Sequence, residues 1–298
     1  MTFHDFWQNV SVTENSLFKA ILFDVDGTII SCGVPMPGAT ELLNFLREIK
    51  TPFLFLTNDS HHSPEEKSAL IRRTGIDVQP QEICTCSNVL VDYVQKNNLQ
   101  GAKVFIMGEF GKPCYAEAAG LQPCRDLKQI DECQLVVAGE GYFDWHDNFQ
   151  AVMNYFIRHH DRPLIVPNPD SYWPNAKTGE LGIGAGAQAR FIAGLLQEMQ
   201  INIQLVYLGK PYQPIFDHAL KKLRTDFNIP DLQPSEVVMV GDTLFSDILG
   251  ARNANLTPAL VMTGITTPEI LAQSPRDQLP DLIFESVGRS YNNANSGG

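Results

Sequence analysis

The chain has 298 residues, 44% of them hydrophobic and 19% charged, with a formal net charge of −12. That length exceeds one small core and suits two domains, and the composition is that of a soluble globular protein. The negative balance argues against a nucleic-acid polymer as partner, and it requires an anionic substrate to meet local positive charge from a metal, a lysine or helix N-termini.

The opening stretch MTFHDFWQNVSVTENSLFKA has neither the basic start nor the continuous apolar segment of a secretory signal. No apolar run reaches the roughly 18 residues needed to cross a bilayer. A cytoplasmic protein without a membrane partner is expected. In ILFDVDGTII, residues 21–30, Ile21, Leu22 and Phe23 read as a short buried strand running into Asp24 and Asp26. On an extended backbone two such carboxylates point the same way, and one resists ionising unless a cation lies between them. Taken alone, the segment also fits a strand ending in a polar turn.

GATELLNFLREIK follows, with Leu42, Leu43, Phe45, Leu46 and Ile49 marking one helix face. The strand PFLFLTN ends in Thr57 and Asn58. In SPEEKSALIRRTG, Ser63 caps a helix, Pro64 suits its first turn, Glu66 completes a capping box and Gly75 ends it. His61 and His62 precede that helix, either as exposed loop residues or at a site entrance.

AKVFIMG, QLVVAG, PLIVPN, IQLVYLG, EVVMVGD, PALVMTG and DLIFES complete a series of apolar runs alternating with helical patterns, which predicts an α/β fold with a parallel sheet. Tyr142 and Trp145 are expected in core packing, the alternative being that they line the cap or an interface. The loop VPNPDSYWPN offers Asn168, Asp170 and Tyr172 as substrate contacts or as turn formers. GIGAG lacks the spacing of a dinucleotide fingerprint and reads as close packing or a hinge. The six cysteines are scattered, with only Cys84 and Cys86 close, and read as reduced, partly buried thiols. The tail from residue 289 holds no core-forming residues and is expected to be disordered.

Two further strands end in polar signatures: GKP, Gly209–Pro211, and GDTLFSD, Gly241–Asp247. With DVDGT and TN they place carboxylates, a hydroxyl, an amide and one lysine at strand C-terminal ends, where open α/β sheets bind ligands. In this order and spacing the four segments resemble the haloacid dehalogenase superfamily of phosphotransferases: Asp24, Asp26, Gly27 and Thr28, then Thr57 with Asn58, then Lys210, then Gly241, Asp242 and Asp247. The long segment between the second and third signatures, with TND, NPD and GIGAG, is similar to the type II cap of the NagD-like subfamily.

The resemblance implies a Rossmann-like core from residues 1–80 and 206–298 and an inserted α/β cap from 81–205. It implies Mg²⁺-dependent hydrolysis of a small phosphorylated metabolite, a sugar phosphate or nucleotide, through an aspartyl-phosphate. Asp24 is then the nucleophile and Asp26 the acid–base group. Thr57, Asn58 and Lys210 would bind the phosphoryl group, and Asn168 and Asp170 the substrate. Asp24, Asp242 and the Asp26 backbone carbonyl would hold the metal, with Asp247 a ligand or the orienter of a metal-bound water. Relatives' habits imply a homodimer through the cap. A phospho-accepting signalling module and a noncatalytic phospholigand binder use the same groups and stand as alternatives.

Overall fold

The computed structural model describes residues 7, 10, 16–174 and 180–290. Every strand expected from an apolar run forms: β1 (Ala20–Phe23), β2 (Phe53–Thr57), β3 (Lys103–Met107), β4 (Leu135–Ala138), β5 (Pro163–Val166), β6 (Gln204–Tyr207), β7 (Val237–Gly241), β8 (Thr257–Val261) and β9 (Leu282–Ser286). The principal helices are α1 (Ala39–Glu48), α2 (Pro64–Arg72), α3 (Trp145–Arg158), α4 (Ala185–Glu198) and α5 (Gln213–Asp226). No helix among the described residues is long and apolar enough to cross a membrane.

The chain divides into two compact units. One comprises the chain up to Thr57, Lys67–Cys84 and everything from Lys210 on; the other comprises Asn58–Glu66 and Thr85–Gly209. The first carries a sheet in the order Arg289–Ser290, β9, β8, β7, β1, β2, Ile83–Thr85. Strands β1, β2, β7, β8 and β9 pair in parallel, and Arg289–Ser290 adds an antiparallel edge. Disorder was expected from residue 289, but Arg289–Ser290 are ordered, since Ser290 pairs with Phe284; the rest of that segment, 291–298, lies outside the described residues. Strands β1, β2 and β7 are buried along their whole length, as strands covered on both faces must be, which is why they read as unbroken apolar runs. Phe23, Phe53, Phe55, Val238 and Val240 pack with Leu43 and Leu46 of α1. Each such fully buried side chain contributes about 1.5–3 kcal/mol over an exposed one.

The second unit has an all-parallel sheet in the order β6, β5, β4, β3, Gln122–Cys124. Its core joins Phe105, Val136 and Leu164 to Tyr155 and Phe156 of α3 and Ile192 of α4. Residues 58–66 group with this unit, although the boundary drawn from sequence at 80/81 leaves them with the core. The reason is a set of hydrogen bonds: Ser63 Oγ donates to Lys112 O (2.7 Å), Lys112 N to Glu66 Oε2 (2.9 Å) and Tyr115 Oη to His62 O (2.7 Å). Glu66 also accepts from Ser63 N while Ser63 Oγ accepts from Glu66 N, forming the expected capping box. The GIGAG run starts α4 under the 168–170 loop, where a Cβ on Gly186 would stand 2.0 Å from Pro169 O. Close packing is its role. Trp145 is half-buried and stacks between Phe143 and Phe149 rather than filling the core, and Tyr142 is 97% exposed, since the turn before α3 points it outward.

Candidate active site

Parallel pairing of β1 with β7 aligns Phe23 with Val240, and Asp24 N donates to Val240 O (2.8 Å). The next residues on the two strands therefore emerge together at the sheet's C-terminal edge. There Asp24, Asp242 and Asp247 each offer a carboxylate oxygen within 4.8 Å of the others, and all three are buried. Asp247 arrives on a π-helical turn, Leu244–Ile248, a local widening that often serves functional sites. Lys210 is 2% exposed and donates to Asp24 Oδ1 (2.6 Å), Asp247 Oδ1 (2.7 Å) and Leu56 O (2.9 Å). Thr57, at the end of β2, is equally enclosed at 2%.

The electrostatics follow from that crowding. Burial pushes Asp24 well above the ordinary carboxylate value; Lys210 opposes the shift, and Asp247 and Asp242 add to it. Burial and then Asp247 raise Asp242 to about 7, against the Ile265 N–H and Lys210. Burial alone would depress Lys210, but Asp24 and Asp247 outweigh it and hold the ammonium strongly charged. One lysine faces three carboxylates. With all three ionised, two positive charges are missing; a divalent cation would supply them, and an all-oxygen donor set suits a hard ion.

Asp26 departs from this cluster. The chain leaves the strand after Phe23 and turns at Gly27, with φ +90°, so the parallel alignment of the two carboxylates expected from an extended backbone does not persist. The Asp26 side chain is 63% exposed, and its near neighbour is a cation: Lys67 Nζ lies 2.7 Å from its Oδ2. Its carboxylate is not part of the metal-sized cluster. Lys67 escaped the sequence reading. Its signal was a lysine in the first turn of α2, where the helix dipole disfavours positive charge.

A loop after β8 also went unread. Ile265 N donates to Asp242 Oδ2 (2.8 Å), Thr266 Oγ1 to Asp242 O (2.6 Å) and Thr263 Oγ1 to Gly27 O (2.6 Å), tying the first and fourth signatures to one segment.

In the inserted unit, Asn168 and Asp170 come together. Asp170 N donates to Asn168 Oδ1 (2.9 Å), and Asp170 Oδ2 accepts from Asn58 Nδ2 (3.1 Å). Asn168 Nδ2 donates to Glu140 Oε1 (2.9 Å), while Ser60 Oγ donates to Glu140 Oε2 (2.7 Å). Burial raises Glu140 above its usual value, and the Ser60 hydroxyl opposes that shift. Glu140 was not read as a site residue from sequence. His61 pairs with Glu109 (3.0 Å) and His62 with Asp59 (2.9 Å). His61 also lines a cavity of about 420 Å³ with Glu66, Glu109, Phe110, Lys112 and Arg125. Tyr172 is 55% exposed on a short strand paired with Leu181–Ile183. All six cysteines are free thiols, with burial pushing Cys84 up to about 12.

Residues 21–122 match the family described as haloacid dehalogenase-like hydrolase, and residues 207–290 match one described as HAD-hydrolase-like. The chain belongs to the haloacid dehalogenase superfamily. Within it, the acid sugar phosphatase of Staphylococcus haemolyticus is 28% identical over 272 residues, covering 91% of this chain and 94% of that protein. The p-nitrophenyl phosphatase of Archaeoglobus fulgidus is 26% identical with a TM-score of 0.75, covering 91% of this chain and 97% of that one. NagD from E. coli shares the fold at 24% identity and a TM-score of 0.74, covering 91% and 97%. Membership in the haloacid dehalogenase superfamily thus rests on both halves of the core, the segments that carry the four strand-end signatures.

Proposed function

We propose that this haloacid dehalogenase hydrolase is a phosphatase that cleaves small phosphate monoesters through a covalent phosphate on Asp24. The observation that supports it most is the cluster of three buried carboxylates around a single buried lysine at the edge of β1 and β7. A structural core gains nothing from two uncompensated charges.

In the first half-reaction an Asp24 carboxylate oxygen attacks phosphorus, the bond from phosphorus to the ester oxygen breaks, and Asp26 gives that oxygen its proton. In the second, water attacks the aspartyl-phosphate, Asp26 takes its proton, and inorganic phosphate leaves with the Asp24 carboxylate restored. Lys210 neutralises the phosphoryl oxygens and Asp24 together, and Thr57, with Asn58 next to it in the chain, donates hydrogen bonds to those oxygens. Mg²⁺ held by Asp24, Asp242 and the Asp26 carbonyl would bring the remaining positive charge and a Lewis-acid contact, with Asp247 orienting its water. Asn168 and Asp170 are proposed to contribute to recognition of the leaving group. The naming of the relatives as acid sugar phosphatases favours a sugar phosphate.

The test is phosphate release over a panel of sugar phosphates and nucleoside monophosphates, with Mg²⁺ and with chelator. Multiple turnovers that need the metal are expected. About one phosphate per chain would favour a signalling module, and binding without release a noncatalytic protein.

A further inference from the structure

The geometry points to Lys67 as the positioning residue for the Asp26 carboxylate, a role that rests on the phosphatase reading above. Three observations carry it. Lys67 Nζ donates to Asp26 Oδ2 at 2.7 Å, across 41 residues of sequence and within one unit. The lysine side chain is 7% exposed although its partner is 63% exposed, so the buried member is the cation. Removing an ammonium from water is unfavourable unless a partner compensates, and Lys67 bears a second penalty from its place in the first turn of α2, between Glu65–Glu66 and Ser68. A buried cation set against a reactive carboxylate is a candidate for function.

The consequence is directional. Lys67 engages Oδ2 and so fixes the rotation of the Asp26 carboxyl group, which is otherwise a solvated side chain on a turn. Oδ1 is then the oxygen presented to the ester oxygen in the first half-reaction and to water in the second. The lysine touches neither phosphorus nor the leaving group; it acts through Asp26.

The test uses the full chain with Mg²⁺ and two esters. p-Nitrophenolate leaves with little protonation, whereas an alkoxide, as from glycerol phosphate, needs a proton from Asp26. The ratio of kcat/KM for the two esters reports the first half-reaction. In Lys67→Met, kcat/KM for the alkyl ester should fall about tenfold or more beyond any fall for the nitrophenyl ester, within the range of acid–base contributions. Lys67→Arg, which keeps a donor and charge, should restore part of the ratio. In an Asp26→Asn background, Lys67→Met should change nothing further, since the two act as one unit. Equal losses on both esters, or an alkyl-ester rate that is unchanged or raised, would overturn the assignment. If Lys67→Met does not fold, the ester ratio of Lys67→Arg alone decides, an unchanged ratio together with a lowered melting temperature marking a purely structural lysine. Failure of the phosphatase reading would show differently, as no phosphate release from either ester by the unaltered protein.

Discussion

Lys210 Nζ approaches Asp24 Oδ1 to 2.6 Å, a contact closed across 186 residues of sequence. It joins the first and third strand-end signatures into one charged pair, and the balance of that pair against Asp242 and Asp247 governs what substitutions here will do. Asp24→Asn keeps the size and a hydrogen-bonding oxygen but removes the nucleophile. Turnover should drop by about 10⁴-fold or more, and no acid-stable phosphate should be trapped on the protein by rapid quench. Near-normal turnover in that variant would remove Asp24 from the role.

Three buried carboxylates around one lysine repel one another when no divalent cation is bound. Asp242→Asn should therefore abolish activity yet raise the melting temperature measured in chelator, by about 2–4 °C for each kcal/mol of repulsion relieved. The unaltered protein should gain stability on adding Mg²⁺, and the variant should lose most of that gain. A variant that is less stable in chelator would contradict the charge argument.

Gly264 faces the same carboxylate. A Cβ at that position would lie 1.8 Å from Asp242 Oδ2 and 2.3 Å from its Cγ. Gly264→Ala should push Asp242 aside by the order of an ångström, a displacement that costs about 10²-fold in rate when it misplaces a reacting array. Titrating activity against Mg²⁺ checks this. The half-saturating concentration should rise, and an unchanged value would mean that the loop yields instead of the carboxylate.

Glu140 offers a test of the inserted unit. Its folded pKa lies above the ordinary value of 4.5 because of burial, opposed by the Ser60 hydroxyl. Above 4.5 the folded chain holds a proton that the unfolded chain gives up, so this group's contribution is full below 4.5 and is lost as pH rises through the folded value. In Glu140→Gln the amide oxygen can still accept from Asn168 and Ala185, and the amide nitrogen can donate to Ser60. Melting curves of the two proteins should therefore diverge with pH, the unaltered chain losing ground to the variant as pH increases from about 4.5 toward neutrality. A gap independent of pH would show that Glu140 titrates alike in both states.

Local sequence determined the strands and the ends of the strands. β1, β2 and β7 are covered on both faces, so their residues must be apolar without interruption, and such runs are visible without a partner. The charged and polar residues that break those runs, Asp24, Thr57 and Asp242, stand where the sheet's edge opens, so their position in the chain also gave their place in the fold. Short edge strands such as Ile83–Thr85 and Gln122–Cys124 carried too few residues to show a period.

What only the tertiary structure decided is which groups meet. The turn at Gly27 sends Asp26 away from Asp24 and toward Lys67, and the capping box at Ser63 and Glu66 ties residues 58–66 to the loop around Lys112. Glu140 becomes a buried acceptor only because Ser60, 80 residues earlier, and Asn168 converge on it. Each of these depends on contacts between distant segments. Their energies come from burial and geometry, quantities that a residue acquires only when its neighbours in space are in place.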